Sequence, residues 1–219
     1  MLPTRELETS HGHPESLVAG IDEVGLAPLA GPVVACAIVM PPGETIDDVR
    51  DSKALSRRQR ERLEPIIRRA ALAYGIGAAS AREIERLNPR AASHLAMARA
   101  LAALQRRYRI AVALSLVDGS PAQDLEALIG PHRTVVRGDA SVYPIACASI
   151  VAKVLRDRLM ERLAERYPGY GWETNAGYPA AAHVAALMRL GVTPHHRRSY
   201  APVKDAVRER GGELRSSNA

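Results

Sequence analysis

The 219-residue sequence predicts an α/β protein built on one mixed sheet, and three observations carry that reading. Two apolar, β-branched runs near the start are separated only by the Gly/Pro-rich "GLAPLAG", which makes them a directly paired couple of strands. Further on, apolar runs alternate with stretches of helical period, as strands alternate with helices in a sheet that has parallel neighbours. Hydrophobic residues make up 47% of the chain, enough for a sizeable core, although Phe is absent and Ala, Val, Leu and Ile must fill it.

The elements follow in order. Residues 1–16 are polar and read as a flexible tail. Residues 17–24 and 31–40 are the first two strands. Ser56 is placed as the N-cap of an amphipathic helix, "SRRQRERLEPIIRRAA". "ALAYGIGAAS" is a third strand. Ser80, with Glu83 three residues on, opens a short helix that stops before Pro89. Residues 91–108 form a second long helix. "IAVALSLVDG" is an apolar strand ending on Asp118, and "RTVV" is a short strand running into the acid of "RGDA", Asp139. "YPIACASIVAKVLRDRLMERLAERY" is the longest helical pattern, and "PAAAHVAALMRLG" is a helix closed by Gly191. Without a linker, repeat or low-complexity tract, residues 17–203 read as a single domain, followed by a C-terminal tail over 204–219.

Composition narrows the function classes. "MLPTRELETSHGHPES" lacks the apolar core of a secretory signal, and no apolar run approaches the ~20 residues of a membrane helix. A cytoplasmic, monomeric protein with no membrane partner is expected. Cys36 and Cys147 stand in apolar runs with no second Cys or His at ligand spacing, so neither a disulfide nor zinc is expected. Thirty Lys and Arg against 24 Asp and Glu leave a net charge of +6, which favours a polyanionic partner.

Three strands end in or beside an acid: Asp22–Glu23, Asp118 and Asp139. Ligands of open α/β sheets bind at strand ends. Four carboxylates gathered there repel one another unless cations hold them together, and oxygen-only donors suit Mg²⁺ or Mn²⁺. Two such ions are the standard equipment for hydrolysing a phosphodiester. Against this, "VDGS" and "RGDAS" are also good turns, and each acid alone reads as a turn or capping residue. All four together, on a basic protein, point to a site. One difficulty stands: in a regular strand Asp22 and Glu23 face opposite sides, so the strand must twist or end there.

The words "GIDEVG", "GPVVACAIV", "DSKALS", "EIERLN", "LVDG", "RGDASVYPIACASIVAKVLRD", "NAGYP" and "HRRSYAPV" occur in the order known from ribonuclease HII, and the sequence resembles that family over about residues 17–203. The resemblance implies a ribonuclease H-like fold: a five-stranded mixed sheet flanked by helices, with a helical C-terminal extension. It implies cleavage of the RNA strand of RNA/DNA hybrids and incision 5′ of ribonucleotides embedded in duplex DNA, leaving 3′-hydroxyl and 5′-phosphate ends. It puts the metal-binding and catalytic acids on Asp22, Glu23, Asp118 and Asp139, with Mn²⁺ or Mg²⁺, two ions, as cofactor.

Substrate-binding positions carried over are Gly25, Leu26, Ala27, Tyr178, Lys53, Arg137 and Lys153. Tyr178 matches a tyrosine that stacks under the deoxyribose next to the ribonucleotide; otherwise it is a half-exposed turn residue. Lys53, before a helix, is either a phosphate contact or a solvated lysine. Arg137 stands where the family mostly has Lys, and Lys153 is either near a phosphate or paired with Asp157 one helical turn on. Arg197 and Arg198 are expected to hold the C-terminal segment or supply diffuse charge, and His195 and His196 to be surface or packing residues. The departure is Gly25–Leu26–Ala27, where the family usually reads Gly-Arg-Gly: a cation is lost, and a methyl is added at a position where glycine leaves the backbone free to come close or adopt φ > 0. The competing function is therefore a weakly active or inactive hybrid- or duplex-binding protein of the same fold.

Overall fold

The computed structural model describes residues 2–43, 45–121 and 124–216, with the side chains of 210–216 left aside. Its elements run α1 (Glu6–Ser10), β1 (Val18–Val24), β2 (Val33–Val39), a single 3₁₀ turn (Ser52–Ala54), α2 (Arg57–Ala70), β3 (Ala73–Ala79), α3 (Ala81–Leu87) and α4 (Pro89–Tyr108). There follow β4 (Leu114–Asp118), α5 (Glu126–Ile129), β5 (His132–Val135), α6 (Gly138–Ser141), α7 (Tyr143–Arg166), α8 (Trp172–Asn175), α9 (Ala181–Leu190) and α10 (Ala201–Ser216).

Local chemistry accounts for the boundaries. Ser56 and Gln59 close a reciprocal capping box at the start of α2, and Ser80 and Glu83 do the same for α3. Gly191, at φ 82°, ends α9 with its N–H on the Leu187 carbonyl. The four-residue helices α5, α6 and α8 were not foreseen, because a single turn has no period to read.

The chain divides into two compact units, where the sequence reading had one domain. The first comprises Met1–Val24, Val34–Ala78 and Ser93–Leu155 and holds the sheet. Its strand order is β3-β2-β1-β4-β5. β1 pairs antiparallel with β2 and parallel with β4, and β4 pairs parallel with β5, a five-stranded mixed sheet. One core cluster joins Cys36, Ile38, Leu63, Ile67, Ala146, Cys147, Ile150 and Val151, all essentially inaccessible. Both cysteines are therefore small core residues, unpaired as expected. Gly20 lets α7 lie directly on the strand, since a Cβ there would stand 2.3 Å from the Pro144 carbonyl carbon.

Residues 1–16, expected as a loose tail, carry α1 and a β-bridge between Thr4 and Val142. Glu8 is buried and paired with Arg5 at 2.7 Å, and Arg5 stacks over the Tyr143 ring, which anchors a stretch that reads as polar. The second unit comprises Gly25–Val33, Ala79–Ala92 and Arg156–Ala219. Its core joins Leu29, Ala30, Met160, Trp172, Leu187 and Val203. The expected tail 204–219 begins inside α10, where Val203 and Ala206 are buried; residues 217–219 lie outside the described ones. Among the described residues no helix is long and apolar enough to cross a membrane.

Candidate active site

The four acids belong to the first unit. The β1–β4 ladder ends at Ile21 opposite Val117. Asp22 and Glu23 remain paired to Cys36 and Ala35 of β2 but have outrun their β4 partner. On that side the strand is free of ladder bonds, and both acids come within reach of Asp118, whose charge acts on each of them. Asp118 is the last residue of β4, and Asp139 lies in α6, four residues past β5.

Three of the four carboxylates are oriented by named donors. Asp118 Oδ1 accepts the Gly138 N–H at 2.7 Å, so the start of α6 fixes it. Asp22 Oδ1 accepts the Glu23 N–H at 2.7 Å, and the Ser149 hydroxyl of α7 also bonds to Asp22. Ser149 in turn shares a 2.8 Å hydrogen bond with Ser52. Asp139, only 4% exposed, meets Lys53 Nζ at 3.2 Å through Oδ2. Lys53 is thus neither merely solvated nor free: 80% of its side chain is exposed while its ammonium sits on a site acid.

The acids act on one another. Burial, then the charges of Glu23 and Asp118, holds the Asp22 carboxyl well above the usual range. Burial and then Asp118 raise Glu23 to about 7. Asp118 is also raised, by burial and then Asp139, against the two backbone N–H groups that favour its charge. These shifts are those of like charges crowded out of water. Glu23 Oε2 is buried with no hydrogen-bond partner, an unusual state for a carboxylate oxygen. Among the described residues no three His, Cys, Asp or Glu side chains are yet drawn tightly enough to hold one ion. The donor set is nevertheless all oxygen, mutually repelling and left with an orphaned atom, which fits hard divalent cations.

Of the other first-unit positions, Arg137 is exposed, in the left-handed region at φ 55°, and caps α6 directly before Gly138. Lys153 is half-buried on α7.

Gly25, Leu26, Ala27 and Tyr178 belong to the second unit. Gly25, at φ 99°, is required there, since a Cβ would stand 2.2 Å from Arg156 Nε. Ala27 is exposed and is not among the non-glycine residues with positive φ, so its methyl strains nothing, against the expectation for that position. Tyr178 is 37% exposed. Behind it, the Thr193 N–H donates to His196 Nδ1 at 2.9 Å, so the His196 proton resides on Nε2 and is directed to His183 Nε2 at 3.1 Å. His183 Nδ1–H is left to donate to the Tyr178 carbonyl at 2.9 Å. His196 is a packing residue as expected, and Arg198 is exposed. Arg197 supplies no surface charge: it is wholly buried, and its donors go to the loop beginning at Gly25.

Sequence reasoning missed Ser52, Ser149 and His183, because a hydroxyl or imidazole aimed at a partner distant in the chain leaves no periodic signal. Ser149 was approachable: it sits two turns into the apolar start of α7, where a polar residue calls for a partner.

A five-stranded sheet of this order, with acids where β1 and β4 end and just beyond β5, defines a ribonuclease H-like protein. Comparison with known proteins agrees. The family model described as Ribonuclease HII matches residues 19–203, and the chain belongs to the ribonuclease HII family. A ribonuclease HII of Paracoccus denitrificans is 52% identical over 187 residues, covering 85% of each chain. One of Gluconobacter oxydans is 48% identical over 210 residues, covering 94% of this chain and 97% of the other. Among solved structures, the ribonuclease H2 of Pyrococcus horikoshii OT3 superposes with a TM-score of 0.71 at 26% identity, over 86% of this chain and 96% of that one. Bst-RNase HIII in complex with Mn²⁺ shares the fold, with a TM-score of 0.73 at 19% identity, over 90% and 71%. The chain is a nuclease and a hydrolase of the ribonuclease H type.

Proposed function

We propose that the protein is an endonuclease that uses Mn²⁺ or Mg²⁺ to cut the RNA strand of RNA/DNA hybrids and to incise duplex DNA 5′ of an embedded ribonucleotide. The observation that carries this is the mutual crowding of Asp22, Glu23 and Asp118, whose carboxyls are all raised in the family's fold. These acids and Asp139 would hold the ions. When bound, two divalent ions would supply Lewis-acid chemistry for attack by water and for the charge that develops on the departing O3′.

The chain's own residues do the positioning. The Gly138 N–H keeps Asp118 aimed, while Ser149 and the Glu23 N–H keep Asp22 aimed. Lys53 offsets charge at Asp139 and, with Arg137 and Lys153, supplies cations for the phosphates. Tyr178 offers an exposed ring to the sugar beside the ribonucleotide, and the backbone of Gly25, Leu26 and Ala27 reads the 2′-hydroxyl. Two substrates test this reading: a labelled RNA/DNA hybrid and a duplex DNA with one ribonucleotide, each with Mn²⁺ or Mg²⁺. Products should carry 3′-hydroxyl and 5′-phosphate ends and should vanish with chelator. Metal-independent cleavage, or none, refutes it.

A further inference from the structure

The second unit contains two arginines, Arg156 and Arg197, that are 0% exposed. A buried guanidinium ordinarily sits on a carboxylate. Here every hydrogen bond that the two make among the described residues goes to backbone carbonyls or to a phenol. Arg197 donates to the carbonyls of Gly25 and Leu26 (Nη1 to Leu26 at 2.6 Å), to Gly31 twice at 2.9 and 3.1 Å, and to Tyr200 Oη at 3.2 Å. Arg156 donates to the carbonyls of Pro32 at 2.9 Å, Ala176 at 3.0 Å and Ala30 at 3.1 Å. Burial and the Arg197 charge pull Arg156 down to about 10, so the pair is held at an electrostatic cost.

Peptide geometry turns this into a statement about the loop's other side. A trans peptide points its C=O and N–H in opposite directions. The only cis peptide among the described residues is His13–Pro14, so the Gly25–Leu26 and Leu26–Ala27 units are trans. Their oxygens converge on Arg197, and Tyr200 Oη donates to the Leu26 carbonyl as well, at 2.7 Å. The N–H groups of Leu26 and Ala27 therefore point away from the guanidinium. Leu29 and Gly31 further along do spend their N–H groups, on the Gly177 and His195 carbonyls. A carbonyl that accepts from a cation also polarises its own peptide, which makes the N–H on the far side a stronger donor.

We propose that Arg197 is a positioning residue for substrate recognition: its buried fork fixes and polarises two consecutive peptide units so that the N–H groups of Leu26 and Ala27 stand ready for a substrate oxygen. Tyr200 assists through the same Leu26 carbonyl. The inference rests on the proposed function, and specifically on the reading that this loop meets the ribonucleotide. It also gives the loop a fixed positive charge behind its backbone, where Leu26 brings none in its side chain.

The test is single-turnover incision of duplex DNA carrying one ribonucleotide, comparing wild type, Arg197→Lys and Tyr200→Phe. Lysine keeps the charge but has no planar fork to span three carbonyls. Half-saturating enzyme concentration should rise about 10-fold for Arg197→Lys and about 3-fold for Tyr200→Phe. The maximal rate should change less than threefold, and the Mn²⁺ dependence should stay that of wild type. A folded Arg197→Lys protein within twofold of wild type in half-saturation overturns the proposal, as does a loss confined to the maximal rate. Where Arg197→Lys does not fold by circular dichroism, Tyr200→Phe decides by the same criterion. A wild type that cuts neither substrate refutes the proposed function instead; a wild type that cuts while both variants match it refutes only the role of Arg197.

Discussion

Replacing Glu23 by Gln should stabilise the metal-free protein while destroying its activity. Glu23 is raised from an ordinary value of 4.5 to about 7 by burial and by Asp118. A carboxyl raised on folding binds its proton more tightly in the native state, so its ionisation opposes folding. The opposition is absent below the unfolded value near 4.5, grows as pH rises, and is complete above about 7. Each tenfold gain in proton affinity on folding is worth ~1.4 kcal/mol, which sets a ceiling of about 3 kcal/mol; repulsion shared among the acids brings the expected gain to about 1–3 kcal/mol. Gln keeps the size of Glu23, and its amide can donate from the position of the orphaned Oε2 toward the neighbouring carboxylates. For a chain of this length that is a rise of about 3–10 °C in melting temperature. The assay is thermal unfolding of chelator-treated wild type and Glu23→Gln at pH 8 and pH 5. The variant should melt higher at pH 8, and the gap should shrink towards pH 5. Adding Mn²⁺ should reverse the order, since a ligand that binds only the native state stabilises wild type more. A variant that melts at or below wild type at pH 8 without metal would falsify the picture of crowded, ionised acids.

Asp118→Asn should abolish hydrolysis, with hybrid binding largely kept because phosphate contacts elsewhere carry much of the affinity; near-normal cleavage at saturating Mn²⁺ contradicts the four-acid site. Tyr178→Ala should lower incision at a single ribonucleotide about fivefold, ~1 kcal/mol of ring contact, with a melting temperature close to wild type. Equal loss of fold and activity would return it to a turn residue. Leu26→Arg should raise single-ribonucleotide incision about 10-fold, the order of one charged hydrogen bond. Adding Ala27→Gly should bring little more, because Ala27 is exposed and free of positive φ. A wild type that already cuts sharply at the junction, with no gain from Leu26→Arg, refutes the loop argument.

Much of the sheet was legible because its signals are local. Runs such as "VVACAIV", wholly buried in β2, read as interior strand from their β-branched residues and flanking turn chemistry, and the capping boxes at Ser56 and Ser80 announce themselves within four residues. The acids stand near strand ends, as the sequence suggests: Asp22 and Glu23 in the last three residues of β1, Asp118 closing β4, and Asp139 four residues past β5. What the sequence could not carry was convergence. Nothing in "IDEV" says that the β4 ladder stops at Ile21, so that Asp22 and Glu23 both run past it. The order of the terminal segments was hidden for the same reason: α1 depends on Arg5, Glu8 and Tyr143 meeting across more than 130 residues of chain.

The least legible residue is Arg197, and its case shows why long-range polar contacts escape a sequence reading. In "HHRRSY" it stands beside a second arginine and looks like one of two surface cations. Folding separates the pair: Arg198 stays exposed, while Arg197 is wholly buried under a loop more than 160 residues away. Burying a charge without a counter-charge is costly, and a well-packed apolar residue would ordinarily serve stability better. Arg156, on α7 beside Asp157, likewise spends its hydrogen bonds on three carbonyls. Both departures lie beneath one short loop. They are explained if the loop must hold its carbonyls inward and its N–H groups outward before any substrate arrives, because donors fixed in advance need no reorganisation when the substrate binds.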